Sequence, residues 1–521
     1  MSKAKEIKKS KCCGECSQAG KVYLIGAGPG DPELISVKGK RIIAEADCIV
    51  YDFLASKEII GESDAEMIYV GKSGRMHTME QADINRLLVK KAKEGKTVAR
   101  LKGGDVFIFG RGGEEALELY KNDIKFEIIP GVSSAYAAPA YAGIPVTQRG
   151  MTSTLAFITG HEDPTKKQSD IDWAKISTGI GTLVFLMGVK NLPNIAEKLM
   201  ENGRSPETGV ALVRWGTTAR QEVVTGKLKD IAEKVKKAGF KSPAIIIVGE
   251  VVSLRKELAW FDNKPLFGKT FIVTRTREQA SALSRCLRNK GAEVIEVATI
   301  KITEPDSYES LEGAVKKLVK NTYDMVIFTS PNGVDRFFDF LHARDLDSRL
   351  LAGTQITVMG PATALALHKY GLKADRLPRE YKAEGIIEEL KDLKGKKVLI
   401  ARAKEARDIL PETLSRENKV DIAVTYQTVI PPESRTLLNK TLEEENVEMV
   451  TFTSSSTVEN FAELLDDTQK AKSLKFASIG PITSETARRL GFDIDTEAEQ
   501  YTIEGLITAI MGFYTTKEKK Q

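Results

Sequence analysis

From Lys21 onward, short apolar runs rich in Val, Ile and Leu alternate with stretches whose apolar residues recur at helical spacing. The short runs predict strands at Val22–Gly26, Cys48–Tyr51, Val98–Leu101, Phe126–Ile129, Leu155–Thr159, Leu183–Met187, Val210–Arg214 and Ile245–Val248. The amphipathic stretches predict helices at Glu114–Lys121, Asn194–Met200 and Leu228–Lys237. Alternation of this kind builds α/β layers. The pattern stops near Val252, and residues 255–267, mixed in character and holding Pro265, read as a linker. Residues 1–20 read as a Cys- and Lys-rich disordered tail.

After Gly268 the alternation restarts and the chain repeats itself. Gly268-Lys-Thr-Phe-Ile-Val-Thr-Arg resembles Gly395-Lys-Lys-Val-Leu-Ile-Ala-Arg, and Val326-Ile-Phe-Thr-Ser-Pro resembles Val450-Thr-Phe-Thr-Ser-Ser. Met359-Gly-Pro-Ala-Thr resembles Ile479-Gly-Pro-Ile-Thr, and Glu380-Tyr-Lys-Ala-Glu-Gly resembles Gln500-Tyr-Thr-Ile-Glu-Gly. The offsets are 127, 124, 120 and 120 residues, in the same order along the chain. This predicts two similar α/β subdomains, with a cleft between them as the natural ligand site.

Composition narrows the choice of function. The 521 residues suffice for several folding units, and no run of about 18 apolar residues predicts a membrane span. The N-terminus lacks an apolar signal core, which predicts a cytoplasmic protein. A net charge of +5 is too mild to predict nucleic-acid binding but suits a polyanionic small molecule. Cys12, Cys13 and Cys16 could hold a soft metal or form a redox pair, but no fourth ligand lies nearby, and a reduced tail is the simpler expectation. His77 and His161 lie in polar loops without metal-ligand spacing, so no metal site is predicted.

Two glycine-rich turns carry the chemistry of the first half. Gly26-Ala-Gly28-Pro29-Gly30-Asp31-Pro32 follows the first strand, and Asp52 follows the second, as in a dinucleotide-binding fingerprint. Pro29 argues against a nicotinamide enzyme, because proline has no N–H to offer a pyrophosphate. The second turn, Leu101-Lys-Gly-Gly-Asp105-Val-Phe-Ile-Phe-Gly-Arg111-Gly-Gly-Glu-Glu115, holds five glycines around a carboxylate, a setting suited to close approach of a cationic sulfonium nucleoside. Glu114 and Glu115 read chiefly as charges capping the helix they open.

Together with Val70-Gly-Lys72, Pro130-Gly-Val-Ser-Ser134, Tyr141-Ala-Gly-Ile-Pro145, Thr159-Gly-His-Glu162 and Met187-Gly-Val-Lys-Asn-Leu192, these turns resemble uroporphyrinogen-III C-methyltransferase over residues 21–254. The resemblance implies a two-subdomain tetrapyrrole methyltransferase fold, S-adenosylmethionine as methyl donor, two methyl transfers that convert uroporphyrinogen III to precorrin-2, and a homodimer. It maps donor contacts onto Pro29, Gly103, Gly104, Asp105, Ile108, Ser133, Ser134, Met187 and Gly216, and proton acceptor and donor onto Asp52 and Lys72. Asp52 also suits a plain turn cap, and Lys72 is better placed to pair with a substrate carboxylate. Where the family has proline after the loop aspartate, this chain has Val106, which questions the rigidity of the loop. The substrate carries eight carboxylates, for which Arg100, Lys102, Arg111, Arg149, Arg214 and Arg220 are candidates, Arg111 and Arg149 foremost.

Residues 268–514 contain no phosphate loop, nucleophile elbow or zinc spacing. Val273-Thr-Arg275, Phe328-Thr-Ser-Pro-Asn-Gly333, Gly360-Pro-Ala-Thr363, Phe452-Thr-Ser-Ser-Ser-Thr457, Gly480-Pro481 and Tyr501-Thr-Ile-Glu-Gly505 resemble uroporphyrinogen-III synthase in order. That resemblance implies a two-subdomain α/β fold (residues 268–302 with 430–514, and 303–429), no cofactor, and cyclisation of hydroxymethylbilane with inversion of ring D. Tyr426 takes the place of a proton donor. Thr329, Ser330, Ser454, Ser455 and Thr457 are candidates to bind carboxylates, although hydroxyls at such strand-to-helix junctions also serve as helix caps. Tyr381 and Tyr501 occupy equivalent repeat positions. A nicotinamide-dependent oxidoreductase and a non-catalytic tetrapyrrole-binding sensor remain the competing functions.

Overall fold

Four five-stranded sheets organise the chain, whose computed structural model describes residues 20–518 apart from 56, 61–62, 64, 72–78, 162–169, 275–276 and 472. The first sheet contains β1 (Lys21–Gly26), β2 (Cys48–Tyr51), β3 (Glu66–Tyr69), β4 (Val98–Lys102) and β5 (Lys125–Ile129), all parallel, in the order β3-β2-β4-β1-β5. Alternate residues of β4 face opposite sides. Ala99 and Leu101 join a core with Ile25, Ile49 and Ile129. Val98 joins the opposite core, with Leu88 and Leu119 from the helices Gln81–Lys93 and Gly112–Lys121.

The second sheet contains β6 (Leu155–Thr159), β7 (Thr182–Leu186), β8 (Gly209–Arg214), β9 (Glu222–Lys227) and β10 (Ala244–Val248), in the order β6-β7-β10-β8-β9. Only β6 and β7 pair in parallel; the other pairs are antiparallel. Ala135, Ala138 and Ala142 on and just after the helix Ser134–Tyr141 pack against β7, β8 and β10, tying the loop after β5 to the second sheet. Strands β3 and β9 have no counterpart in the sequence pattern. Both are sheet edges with half-exposed residues, so neither gives a continuous apolar run.

The expected linker, residues 255–267, packs onto this part of the chain. Arg255–Leu258 is helical, Trp260 Nε1 donates to Ala140 O at 3.0 Å, and Phe261 and Leu266 are buried. Tyr141 stacks its ring edge-on against Phe261, with centroids 4.9 Å apart.

The remaining strands are β11 (Thr270–Val273), β12 (Glu293–Glu296), β13 (Lys301–Thr303), β14 (Met325–Phe328), β15 (Gln355–Val358), β16 (Lys397–Ala403), β17 (Lys419–Val429), β18 (Val447–Phe452), β19 (Lys475–Ser478) and β20 (Thr496–Glu497). They form sheets ordered β12-β11-β18-β19-β20 and β13-β17-β16-β14-β15. Strand β13 pairs antiparallel with the end of β17, Lys301 opposite Val429 and Thr303 opposite Gln427. Two compact units result: Phe271 closes the main segment of the first, and the segments Ile272–Ser284 and Ile295–Ala509 belong to the second.

Candidate functional site

Parallel strands deliver their following loops to one edge of a sheet. In the first sheet the loops after β1, β4 and β5 meet there. Gly28 N donates to Gly104 O at 3.2 Å, and Gly104 N donates back to Gly28 O at 2.7 Å. Gly104 takes φ +70°, which glycine reaches without steric cost. A Cβ on Gly131 would lie 2.3 Å from Gly104 O and 2.6 Å from Gly26 Cα, so only glycine lets the three loops stack. Asp105 fastens them: Oδ1 accepts from Phe107 N at 2.8 Å and Ile108 N at 3.1 Å, and Oδ2 accepts from Gly131 N at 2.9 Å. Ser133, buried, caps the helix Ser134–Tyr141.

Behind this edge lies a buried charge cluster. Arg100 and Lys102 share the face of β4 that carries Val98, and they are 2% and 5% exposed. Both point at Glu115, which is 0% exposed. Glu115 Oε1 accepts from Arg100 Nε at 3.2 Å, Lys102 Nζ at 2.7 Å and Gln81 Nε2 at 3.1 Å. Glu115 Oε2 is buried without a hydrogen-bond partner among the described residues. Arg100 Nη2 also reaches Asp52 Oδ2 at 3.3 Å, and Asp52 Oδ1 accepts from Leu54 N at 3.1 Å. Burial, then the neighbouring Arg100, pushes the Lys102 ammonium below the usual lysine range despite Glu115. Two cations removed from water are costly unless paired, so Glu115 is a structural necessity of this strand.

The second sheet supplies strained residues. Met187, after β7, and Trp215 and Thr217, after β8, have φ +58°, +48° and +74°. Side chains other than glycine seldom take such values outside over-determined sites. Asp31 N donates to Thr217 Oγ1 at 3.1 Å, and the Phe53 and Trp215 rings meet edge-on with centroids 5.9 Å apart. These contacts join the loop edges of the two sheets, and the loops there carry the exposed apolar residues Phe53, Leu54, Phe107, Phe109 and Met187.

In the C-terminal unit the repeat appears as two copies of one device. Ser330 caps the helix Pro331–His342, its Oγ accepting from Gly333 N at 3.0 Å. Ser454 caps the helix Ser455–Leu464 in a reciprocal box with Thr457, whose Oγ1 accepts from Ser454 N at 3.2 Å. Gly360 and Gly480 precede the Pro-initiated helices Pro361–His368 and Pro481–Arg489. A Cβ on either would touch the ring or Cβ of Tyr381 or Tyr501. Tyr426 is buried near the end of β17, with its hydroxyl 3.0 Å from Ser330 Oγ. Burial pushes its phenol up, so it keeps its proton at neutral pH.

The description tetrapyrrole (corrin/porphyrin) methylases matches residues 21–232, and uroporphyrinogen-III synthase HemD matches residues 281–508. A porphyrin biosynthesis protein HemD of Ruminiclostridium josui is 39% identical over 499 residues, covering 94% of this chain and 98% of that one. The chain belongs to the tetrapyrrole methylase family in its first half and to the uroporphyrinogen-III synthase family in its second. A uroporphyrinogen-III C-methyltransferase of Bacillus subtilis is 36% identical and covers 83% of this chain and 84% of its own. An S-adenosyl-L-methionine-dependent uroporphyrinogen III methyltransferase of Methanosarcina barkeri is 55% identical over the methylase half, covering 45% of this chain and 93% of its own.

Within the methylase half, Pro29, Gly103, Gly104, Asp105 and Ser133 lie on the three stacked loops or at their rim, Ile108 follows Asp105, and Met187 and Gly216 lie on the facing loops. Several expectations need revision. Arg100 and Lys102 are consumed by Glu115, not open to substrate, and Glu115 is a buried ion-pair partner, not a capping charge. Arg214 pairs with Glu222 at 3.0 Å, and Arg220 lies over the Trp215 ring. Arg111 is exposed beside Glu114, and Arg149 is exposed. Of the five loop glycines only Gly104 has positive φ; Phe109 and Arg111 take it instead. The loop is braced without proline, since Val106 is fully buried and its carbonyl accepts from Gly112 N at 3.1 Å. Lys72, His77, Glu162, Arg275, Cys12, Cys13 and Cys16 lie outside the described residues.

In the synthase half, Thr329 donates to Ala401 O at 3.4 Å, and Ser455 Oγ accepts from Thr486 Oγ1 at 2.9 Å. Ser330, Ser454 and Thr457 are caps, with Thr457 buried. Sequence reasoning missed Tyr141, whose hydroxyl donates to Asp31 Oδ2 at 2.9 Å, and Gln221, whose Oε1 accepts from Thr217 N at 3.2 Å. No local pattern marks a pairing across 110 residues.

Proposed function

We propose that the methylase half methylates uroporphyrinogen III twice, from S-adenosylmethionine, to give precorrin-2, and that the synthase half makes that substrate by closing hydroxymethylbilane with inversion of ring D. The observation that carries the donor assignment is the glycine stack of Gly26, Gly104 and Gly131, pinned by Asp105 and faced by the strained Met187 and Thr217. These residues fit a nucleoside cation: open backbone on one wall, the apolar Ile108 and Met187, and a carboxylate. Pro29, Gly103, Gly104, Asp105, Ile108, Ser133, Ser134, Met187 and Gly216 hold it. When bound, the sulfonium supplies an electrophilic methyl group.

The protein's own residues align and neutralise. Asp52 accepts the pyrrole N–H proton. Its Oδ2 is steadied by Arg100 at 3.3 Å, which fixes its direction while free lone pairs remain. Lys72, Arg111 and Arg149 take substrate carboxylates. In the synthase half, Tyr426 donates a proton to the departing hydroxyl, and Ser330 beside it sets the phenol's orientation. Thr329, Ser330, Ser454, Ser455 and Thr457 bind acid side arms together with the free N–H groups of the helices they open. Closure of the bilane needs conformational control more than strong acid catalysis. The protein acts in the cytoplasm as a homodimer. A siroheme synthase of Methylobacillus flagellatus, 47% identical over 47% of this chain, favours the siroheme branch.

The sheet order weighs against a nicotinamide enzyme. A dinucleotide fingerprint needs β1 and β2 as neighbours, but β4 lies between them. After β1 a short turn of 3-10 helix, Pro32–Leu34, separates the glycine turn from the helix Val37–Glu45, so no helix N-terminus follows the glycines directly. The test is to give purified protein hydroxymethylbilane and S-adenosylmethionine. Dimethylated type-III product is expected. Bilane that closes only at its spontaneous rate, with no methyl transfer, would establish a binding protein instead.

A further inference from the structure

Thr217 is a β-branched residue held at φ +74° and 3% exposed. Two hydrogen bonds hold it there: Oγ1 accepts from Asp31 N at 3.1 Å, and its N–H donates to Gln221 Oε1 at 3.2 Å. The second bond requires the Gln221 amide to present oxygen, not nitrogen, to Thr217. Gln221 is itself 5% exposed, so water does not set that choice. Asp262 does, backed by the Tyr141 carbonyl: its Oδ1 accepts from Gln221 Nε2 at 2.5 Å and Tyr141 O accepts from the same nitrogen at 3.3 Å, while the other oxygen of Asp262 pairs with Arg255. Arg255 in turn donates to Ala142 O at 2.5 Å, which anchors the arrangement to the turn after the helix Ser134–Tyr141. Without the closer, charged acceptor at Asp262 only the longer bond to Tyr141 O opposes a flip of the amide, and a flipped amide sets donor against donor at Thr217 N.

We infer that Asp262 is a positioning residue of the methyl-donor site, acting through Gln221 and Thr217 on the loop Gly28–Asp31. It touches no donor itself. It lies beyond residue 232, where the methylase match ends, in the segment the sequence pattern marks as a linker. The stretch between the two enzymes is therefore a working part of the first. The inference rests on the donor assignment proposed above.

The test uses the full chain and S-adenosylhomocysteine. Asp262→Ala is expected to weaken its binding about tenfold in calorimetry, the scale of one lost hydrogen bond to a charged group. The KM for uroporphyrinogen III is expected to stay at the wild-type value, and the melting midpoint to fall by no more than a few degrees, the scale of the lost hydrogen bond and ion pair. Asp262→Glu keeps a carboxylate with acceptors for both Gln221 and Arg255 and is expected to bind within about threefold of wild type. Undiminished binding by Asp262→Ala would overturn the inference. So would a rise in the acceptor KM that matches the loss of donor affinity, because that marks general damage. If the wild-type chain itself shows no heat with S-adenosylhomocysteine, the donor assignment falls, and this inference with it.

Discussion

Removing Glu115 tests the buried cluster most directly. In Glu115→Ala, Arg100 and Lys102 stay 2% and 5% exposed but lose the carboxylate bonded to them at 3.2 and 2.7 Å. Asp52, 3.3 Å from Arg100, is the anion left, and it lies at the cluster's partly exposed end. Deleting one partner of a buried ion pair costs about 3–5 kcal/mol, because the surviving charge stays desolvated. For a unit of this size each kcal/mol is worth roughly 2–4 °C, so the methylase transition is expected to fall by about 10 °C at pH 7. The dependence on pH follows from Lys102. Its folded pKa is already below the ordinary lysine value, chiefly through burial, and losing Glu115 lowers it further. Between the folded and unfolded values the unfolded chain binds more protons, so stability rises with pH there. The deficit of the variant should therefore shrink as pH is raised towards the ordinary lysine pKa, whereas Arg100 stays charged throughout. Differential scanning calorimetry of the full chain, which resolves separate transitions, measures both effects. A drop of less than about 2 °C, or a deficit that grows with pH, would refute the argument.

Two further changes address the proposed sites. Asp105→Ala leaves the amides of Phe107, Ile108 and Gly131 without their acceptor and lets the three loops part. Binding of S-adenosylhomocysteine is expected to weaken by about tenfold or more in calorimetry, and unchanged affinity would remove Asp105 from the donor site. Tyr426→Phe deletes the bond to Ser330 and is expected to destabilise by about 1 kcal/mol. It should slow type-III ring closure by about tenfold or more, read as the ratio of type-III to type-I isomer on chromatography, and a wild-type ratio would end its role as proton donor.

Local periodicity alone determined much of the secondary structure. Cys48–Tyr51 and Leu155–Thr159 are strands with the bounds the pattern gives, because each is a short apolar run inside a sheet or packed on its face. The repeat was equally legible: Ser330 and Ser454, and Gly360 and Gly480, recur at matching offsets as helix caps, and Tyr381 and Tyr501 lie against those two glycines. Only the tertiary structure decided what the charges do. Arg100 and Lys102 looked like surface cations for a polyanion, yet β4 lies between β2 and β1 under two helices, and that order turns both inward onto Glu115. Nothing near Glu115 in the chain separates it from exposed Glu114, since a helix shows different faces to residues one step apart. Likewise Tyr141 with Asp31, and Gln221 with Asp262, meet across 110 and 41 residues. Periodicity reports which face a residue takes within its own element. Which partner waits on that face depends on how elements distant in sequence are ordered, and that is settled only when the chain closes its sheets.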